Sequence, residues 1–168
     1  MIGVVAAILA ALGLIDQQSG WRGGGGGGGG GAVPDRALTG SPRVIDGDSL
    51  RLAGEELRLV GIDAPEGRQT CQRSGQRWRC GEAAAQKLRR LVASRDLSCQ
   101  AEKRDQHKRL LATCRANGRN VNREMVATGM AVAFGKRYRR EEADAKRRRS
   151  GLWASEFQRP QQWRRQNM

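Results

Sequence analysis

The feature that most constrains the fold of this chain is an unbroken run of nine glycines at residues 23–31. The run has no side chains to bury and loses the most backbone entropy on ordering, so it cannot form part of a packed core. We therefore interpret residues 21–36 as a Gly-rich linker. Of the 168 residues, those at 37–157 are then expected to form one folded domain, followed by a basic tail at 158–168.

Residues 1–15, MIGVVAAILAALGLI, are continuously apolar. A membrane-spanning helix needs about 20 apolar residues, so this segment fits the hydrophobic core of a signal peptide better. However, no Lys or Arg precedes it and no clear A-x-A cleavage site follows it. Residues 1–20 are predicted to be a signal peptide or a membrane anchor. Either one implies an exported domain, periplasmic or extracellular, and an anchor would tether it to the membrane.

The charge balance of the chain favours an anionic partner. Lys and Arg total 31 against 17 Asp and Glu, which gives a formal net charge of +14. Such a field attracts nucleic acid, anionic lipid or acidic polymers. Of these we favour nucleic acid; a basic surface that only maintains solubility is the alternative.

The spacing of the four cysteines argues against a zinc site. They are Cys71, Cys80, Cys99 and Cys114. No C-x2-C pair occurs and His107 is the only histidine, whereas structural zinc sites use closely spaced Cys and His ligands. An even count without metal spacing indicates disulfides, and hence an oxidising compartment, with four buried free thiols as the alternative.

The hydrophobic pattern of the first half of the domain predicts a hairpin followed by a helix. Residues 44–62 alternate between apolar and polar side chains around an Ala53-Gly54 turn, which is typical of a β-hairpin. A polar loop is expected at 71–80. Residues 82–94 carry apolar side chains on one helical face.

The second half predicts more strands and two helices. One strand starts near residue 97, and another ends at an Asn117-Gly118 turn, a strong hairpin signal. Asn122 is the predicted N-cap of a short helix. A short strand at 130–134 and a charged helix at 141–149 follow. The pattern therefore predicts an α+β domain with about five strands, one helix inserted midway and helices late in the chain.

Four carboxylates concentrate around the hairpin. Asp46 and Asp48 point the same way from an extended strand, and Gly47 between them permits a bulge. Asp63 ends the returning strand, so the hairpin can bring it beside Asp48, and Glu66 follows shortly after. Clustered carboxylates are costly unless a cation lies among them, and oxygen ligands suit a hard cation such as Ca²⁺ or Mg²⁺.

Two arginines complete the set of candidate functional residues. Arg58 precedes Asp63 by five residues, and Arg109 follows Asp105 by four. Arginine stays charged and binds phosphate oxygens in a bidentate manner. Each arginine taken alone fits a solvated surface charge better than a phosphate ligand; the joint pattern favours a phosphate site.

The segment VIDGDSLRLAGEELRLVGIDAPE, followed by RDQHKRLLATCRANGRNVNREMVATGMAVAF and a charged helix ending in GLW, resembles the staphylococcal nuclease (thermonuclease) family. The resemblance covers about residues 40–157. It implies an OB-fold five-stranded β-barrel with about three helices, and cleavage of DNA and RNA with one Ca²⁺ as cofactor. The polypeptide is expected to be a monomer.

The resemblance also implies roles for the matching residues. The Ca²⁺ ligands would be Asp48, Asp63 and the backbone carbonyl of Ala64, with Asp46 acting nearby or through water. Glu66 would be the general base or would position the attacking water. Arg58 and Arg109 would hold the scissile phosphate, and the products would carry a 3′-phosphate.

The chain departs from the family pattern next to Arg109. The family often has Tyr-Gly before this arginine, whereas this chain has His107 and Lys108. We interpret His107 as a loop residue near the phosphate rather than as a base. Phe134 matches the aromatic residue that packs on the nucleotide, and Tyr138 is expected to supply a nearby hydroxyl. These four residues are the predicted nucleic-acid contacts.

On the implied fold, Cys99 would pair with Cys114 on consecutive strands, and Cys71 with Cys80 across the loop after Glu66. The favoured function is a Ca²⁺-dependent endonuclease. A non-catalytic OB-fold module that binds nucleic acid from a membrane tether is the alternative, and a tethered basic adaptor for anionic polymers is the third hypothesis.

Overall fold

The computed structural model describes residues 33–34, 36–93 and 96–168. The predicted signal peptide or anchor and the nine glycines lie outside the described residues. No helix within the described ranges is both long enough and apolar enough to cross a membrane.

The described chain alternates short strands with four α-helices. The strands are β1 (Leu38–Thr39), β2 (Arg43–Val44), β3 (Ser49–Leu52), β4 (Glu55–Leu59), β5 (Ile62–Asp63), β6 (Cys71–Arg73), β7 (Gln76–Trp78), β8 (Ser98–Arg104), β9 (Leu110–Ala116), β10 (Arg119–Asn120) and β11 (Val132–Ala133). The helices are α1 (Cys80–Val92), α2 (Val121–Ala127), α3 (Arg139–Arg147) and α4 (Pro160–Asn167), with a 3₁₀ turn at Gly151–Ala154.

One mixed sheet carries most of the strands, in the order β1-β8-β9-β4-β3-β2, with β10 added to β9. Strands β3 and β4 form the hairpin predicted around Ala53-Gly54, with Leu50 opposite Leu57. Strands β4 and β9 pair in parallel, with Leu57 opposite Leu110. This α+β arrangement, which fits a barrel-like OB fold, confirms the predicted fold class.

The apolar positions of the hairpin form the centre of the core. Leu50, Leu52, Leu57 and Leu59 are at most 1% exposed. Ala84, Leu88 and Val92 of helix α1 belong to the same buried cluster. Burial of each such leucine contributes about 1.5–3 kcal/mol, so the core fixes the register of the hairpin that carries the acidic residues.

The N-cap predicted at Asn122 is wrong, because the helix begins earlier in the chain. The cap is Asn120, whose side-chain oxygen accepts a hydrogen bond from the Arg123 backbone N–H at 2.9 Å. Asn122 is fully buried. Its Nδ2 atom donates to the carbonyls of Val60 and Ala112, both at 3.0 Å, so its polar atoms bond core backbone groups instead.

Both predicted disulfides are confirmed, and none of the four cysteines is free. Cys99 and Cys114 occupy opposed positions on β8 and β9 and are bonded. Cys71 and Cys80 are bonded across residues predicted as a loop, which fold as the β6–β7 hairpin. Two disulfides indicate an oxidising environment.

A second core joins this disulfide hairpin to the C-terminal part of the chain. Cys71, Cys80, Val132 and Leu152 are buried together, with Trp78, Trp153 and Phe157 packed against them. The backbone of Gln72 then exchanges two hydrogen bonds with Glu156, at 2.8 and 2.9 Å. Helix α4 follows directly, in the stretch predicted as a basic tail, and is additional to the about three predicted helices.

Candidate active site

Asp48 and Asp63 meet at the open end of the β3–β4 hairpin. Asp48 immediately precedes β3 and Asp63 ends β5, and they are 3% and 2% exposed. The Nη2 atom of Arg58, on β4, lies 2.8 Å from an oxygen of each carboxylate. One guanidinium therefore holds the two predicted metal ligands together.

The backbone around Asp48 is packed too tightly for larger residues. A β-carbon at position 47 would lie 2.7 Å from the β-carbons of Ala64 and Ala84, so Gly47 is required there. This packing lets the Ala64 N–H donate to Asp48 Oδ2 at 3.2 Å. Asp46 Oδ1 accepts from the Asp48 N–H at 3.0 Å, which closes the turn.

Burial raises the pKa of all three aspartates. For Asp48 and Asp63 the loss of hydration is the largest cause, and their pKa values stay raised although Arg58 and Arg164 act in the opposite direction. Burial, and then the charge of Asp48, raise the pKa of Asp46 to about 6. Carboxylates in this condition gain stability from an added cation.

Glu66 is held by its backbone in a tight loop. Gln69, which is fully buried, donates its N–H to the Glu66 carbonyl at 2.7 Å. The Gln69 side-chain oxygen accepts from the Glu66 N–H at 3.3 Å. The Gly81 backbone N–H in turn donates to the Gln69 carbonyl at 3.1 Å, which joins this loop to the start of α1.

Arg164, on α4, contacts the acidic residues of the site, although the sequence indicated for it only an extension of the basic surface or a solvated tail. Its Nη1 atom lies 2.7 Å from Glu66 Oε1, and its Nη2 atom lies 2.9 Å from Asp63 Oδ1. Burial acts to lower the pKa of Arg164, but the hydrogen bond to Glu66 and the charge of Asp63 outweigh burial. The pKa of Arg164 is therefore raised. Pro160 at the first turn of α4 is a sequence signal for a helix start, but no local signal identifies which side chain faces the site.

Arg109 is oriented by its own turn. Its Nη2 atom lies 2.8 Å from Asp105 Oδ2, and its N–H donates to Asp105 Oδ1 at 3.0 Å. Burial acts to raise the pKa of Asp105, but these bonds from Arg109 outweigh it and lower the pKa. Lys108 has φ of 64°, a left-handed conformation that favours glycine.

Two clefts meet at these arginines, since both are lined by Arg58, His107, Arg109 and Arg164. The first cleft adds Asp46, Glu66 and Lys108. The second adds Asp63 and Phe134, and Phe134 is 57% exposed. Of the four predicted nucleic-acid contacts, Tyr138 lies outside the lining of both clefts; its hydroxyl accepts from Asn120 Nδ2 at 3.4 Å.

The donor set fits a hard cation only in part. Within the described ranges, no group of three or more acidic, histidine or cysteine side chains is arranged to hold a metal ion. Asp48 and Asp63 nevertheless supply two buried carboxylates that already share one cationic group. Ca²⁺ takes about six to eight oxygen ligands, among which backbone carbonyls and waters are common. Two carboxylates completed by such ligands fit that chemistry.

Comparison with protein families matches residues 56–155 to the family described as "Staphylococcal nuclease homologue". That range includes Arg58, Asp63, Glu66 and Arg109, but begins after Asp48 and ends before Arg164. The match thus covers more than half of the chain, and helix α4 lies beyond it.

Three curated relatives illustrate the match. Succinoglycan biosynthesis protein ExoI of Rhizobium meliloti is 42% identical over 98 residues, covering 56% of this chain and 51% of that protein. Protein ParB of Escherichia coli is 34% identical, covering 74% and 77%. An uncharacterized endonuclease of Haemophilus influenzae is 31% identical, covering 74% and 71%. The chain therefore spans about half of the first relative and most of the other two.

Proposed function

Because the chain belongs to the family of staphylococcal nuclease homologues, we propose that it is a Ca²⁺-dependent endonuclease that cleaves DNA or RNA with little sequence specificity. The family assigns the chain to the nucleic-acid hydrolases. The observation that carries the finer proposal is the convergence of Asp63, Glu66 and three arginines on one pair of clefts. The buried Asp48 is paired with one of these arginines, Arg58. The products would carry a 3′-phosphate and a 5′-hydroxyl.

Asp48 and Asp63 would hold the Ca²⁺ ion, with the backbone carbonyl of Ala64 as a further ligand. Asp46 would act nearby or through a water molecule. When bound, the ion would supply Lewis-acid polarisation of a phosphoryl oxygen. The burial and raised pKa values of these aspartates support this assignment, because a cation removes the cost of their charges.

Glu66 would accept a proton from the attacking water, or hold that water in line with the phosphorus atom. A general base must lie within hydrogen-bond reach of its proton donor, and Glu66 lines the cleft that Arg58 and Arg109 share. The two arginines would donate to the phosphate oxygens as negative charge builds on them. Removing one such donor costs about 3–4 kcal/mol of transition-state stabilisation.

Substrate contacts would extend along the same clefts. The exposed ring of Phe134 is suited to stack on a base without reading its identity. His107 and Lys108 would approach the phosphate backbone, and Tyr138 would lie at the edge of the binding surface. The net charge of +14 would speed association with either nucleic acid.

We also propose that the protein acts as an exported monomer in the periplasm or outside the cell. The two disulfides support an oxidising compartment. Residues 1–15 would serve either as the core of a cleaved signal peptide or as a membrane tether.

The test is cleavage of single-stranded and duplex DNA and of RNA by the oxidised protein, in Ca²⁺ or in EDTA. We expect Ca²⁺-dependent cleavage that Glu66→Gln and Arg109→Ala reduce by at least about a hundredfold. Mapping of the product ends would show whether the phosphate stays on the 3′ side. Binding without cleavage under every metal condition would instead support the non-catalytic OB-fold module.

A further inference from the structure

We propose that Arg164 is a positioning residue of the active site, delivered by helix α4 to hold the Glu66 carboxylate beside Asp63. This inference rests on the proposed function. It assigns a role to the segment after residue 155, which the matched family range does not include.

The contacts of Arg164 suit a positioning role. Its Nη1 atom donates to Glu66 Oε1 at 2.7 Å. Its Nη2 atom donates to Asp63 Oδ2 at 3.1 Å. Because the guanidinium is planar and rigid, one group fixes both the distance and the relative orientation of the two acids. A lysine could contact both carboxylates, but its rotatable ammonium group would not fix their relative orientation.

Helix α4 is anchored at both of its ends by residues that follow Glu66. The Gln69 side-chain amide donates to the Gln158 carbonyl at 2.8 Å. Arg68 Nη2 donates to the Asn167 carbonyl at 3.1 Å, and its guanidinium lies 5.7 Å from the centre of the Trp163 ring. An eight-residue helix is marginal on its own in water, so these contacts keep α4 in place.

The same residues tie α4 to the backbone of Glu66. Gln69 bonds Glu66 through its backbone and its side-chain oxygen, while its side-chain nitrogen holds the segment before α4. Glu66 is therefore fixed at its backbone by Gln69 and at its carboxylate by Arg164. With Oε1 engaged by Arg164, Oε2 is the oxygen suited to accept a proton from water.

A role in positioning predicts a specific kinetic change. A displacement of about 1 Å of a catalytic group lowers the rate by about a hundredfold. Arg164→Gln should therefore lower kcat by about ten- to a hundredfold with little change in KM. Arg164→Lys should recover only part of this loss. If Arg164 only blocked access to the cleft, its removal would raise kcat instead of lowering it.

The matched control is Arg165→Gln, on the same helix and exposed to solvent. It removes the same charge without touching Glu66 or Asp63, so kcat should stay near the wild-type value. An equal fall of kcat in both glutamine variants would overturn the proposal, because the effect would then be one of net charge.

A second readout is Ca²⁺ binding in the absence of substrate, measured by calorimetry. Arg164→Gln should bind Ca²⁺ at least as tightly as the wild type, because a positive charge has left the neighbourhood of Asp63. Weaker Ca²⁺ binding by the variant would overturn the proposal, since the loss of rate would then arise from the metal site.

The outcomes separate this inference from the proposed function. A wild-type protein that cleaves no nucleic acid would overturn the function, and the positioning role with it. An active wild type together with an equally or more active Arg164→Gln would overturn the positioning role alone. If Arg164→Gln fails to fold, an unchanged kcat in Arg164→Lys would overturn the positioning role of Arg164.

Discussion

Gly81 lies so close to Glu66 that a β-carbon at position 81 would be 1.7 Å from the Glu66 carbonyl oxygen. The first turn of α1 is thus packed directly against the backbone of the residue proposed as general base. No side chain other than hydrogen fits this contact without a shift of the loop or the helix.

We expect Gly81→Ala to lower both stability and kcat. Alanine favours a helix over glycine by about 1 kcal/mol, but the clash with the Glu66 carbonyl must displace backbone on one side. Thermal unfolding and cleavage kinetics check this expectation. Gly67→Ala is the control, because a β-carbon at position 67 meets no atom within 4 Å; an equal effect of both substitutions would contradict the argument.

The two disulfides should differ in their effect on activity. Each closes a loop, of sequence separation 9 for Cys71–Cys80 and 15 for Cys99–Cys114, worth about 3 kcal/mol by the chain-entropy relation. Replacing either pair by serine should lower the unfolding free energy by a similar amount. Only loss of Cys71–Cys80 should also lower kcat, because this bond supports the loop and the C-terminal segment around Glu66. Equal loss of kcat in both variants, measured well below their melting temperatures, would count against this division.

Ca²⁺ affinity should fall as the pH is lowered through about 6. Burial raises the pKa of Asp46 from 3.8 to about 6, so protons compete with the cation in this range. The stability of the metal-free protein should change with pH in the opposite direction. Between about pH 4 and 6 the folded state binds more protons than the unfolded state, so stability rises as the pH falls. Calorimetry and thermal unfolding across about pH 4–8 measure both trends, and Asp46→Asn should flatten them.

Lys108 should strain its turn while it supplies charge to the cleft. Its φ of 64° costs a non-glycine residue about 1–2 kcal/mol. Lys108→Gly and Lys108→Ala both remove the charge, and both should raise KM for nucleic acid. Only the glycine variant relieves the backbone, so it should be the more stable of the two by denaturant unfolding. Equal stability of the two variants would show that the turn carries no strain.

The hairpin and the acidic cluster could be predicted from the sequence because both depend on short-range spacing. Leu50, Leu57 and the Ala53-Gly54 turn determine the register of β3 and β4, and that register brings Asp48 close to Asp63. The cysteine pairs followed once the fold was recognised. The roles assigned to the site residues remain proposals.

Arg164 and Asn122 could not be assigned in this way because tertiary contacts decide their roles. Arg164 reaches Asp63 because contacts of Arg68, Gln69 and Gln72 hold the C-terminal segment. Asn122 is a good N-cap residue by type, yet three core backbone groups bond its side chain. These tertiary contacts leave no periodic or spacing signal in the sequence.

The ion pair between Asp63 and Arg164 joins residues that are 101 positions apart. It cannot form until residue 164 has left the ribosome, whereas the β3–β4 hairpin can form as soon as both strands have emerged. Closing so long a loop is also slow relative to local pairing. We therefore expect the contacts of Arg58 with the acidic cluster to form before those of Arg164, and the geometry around Glu66 to be completed among the last steps of folding.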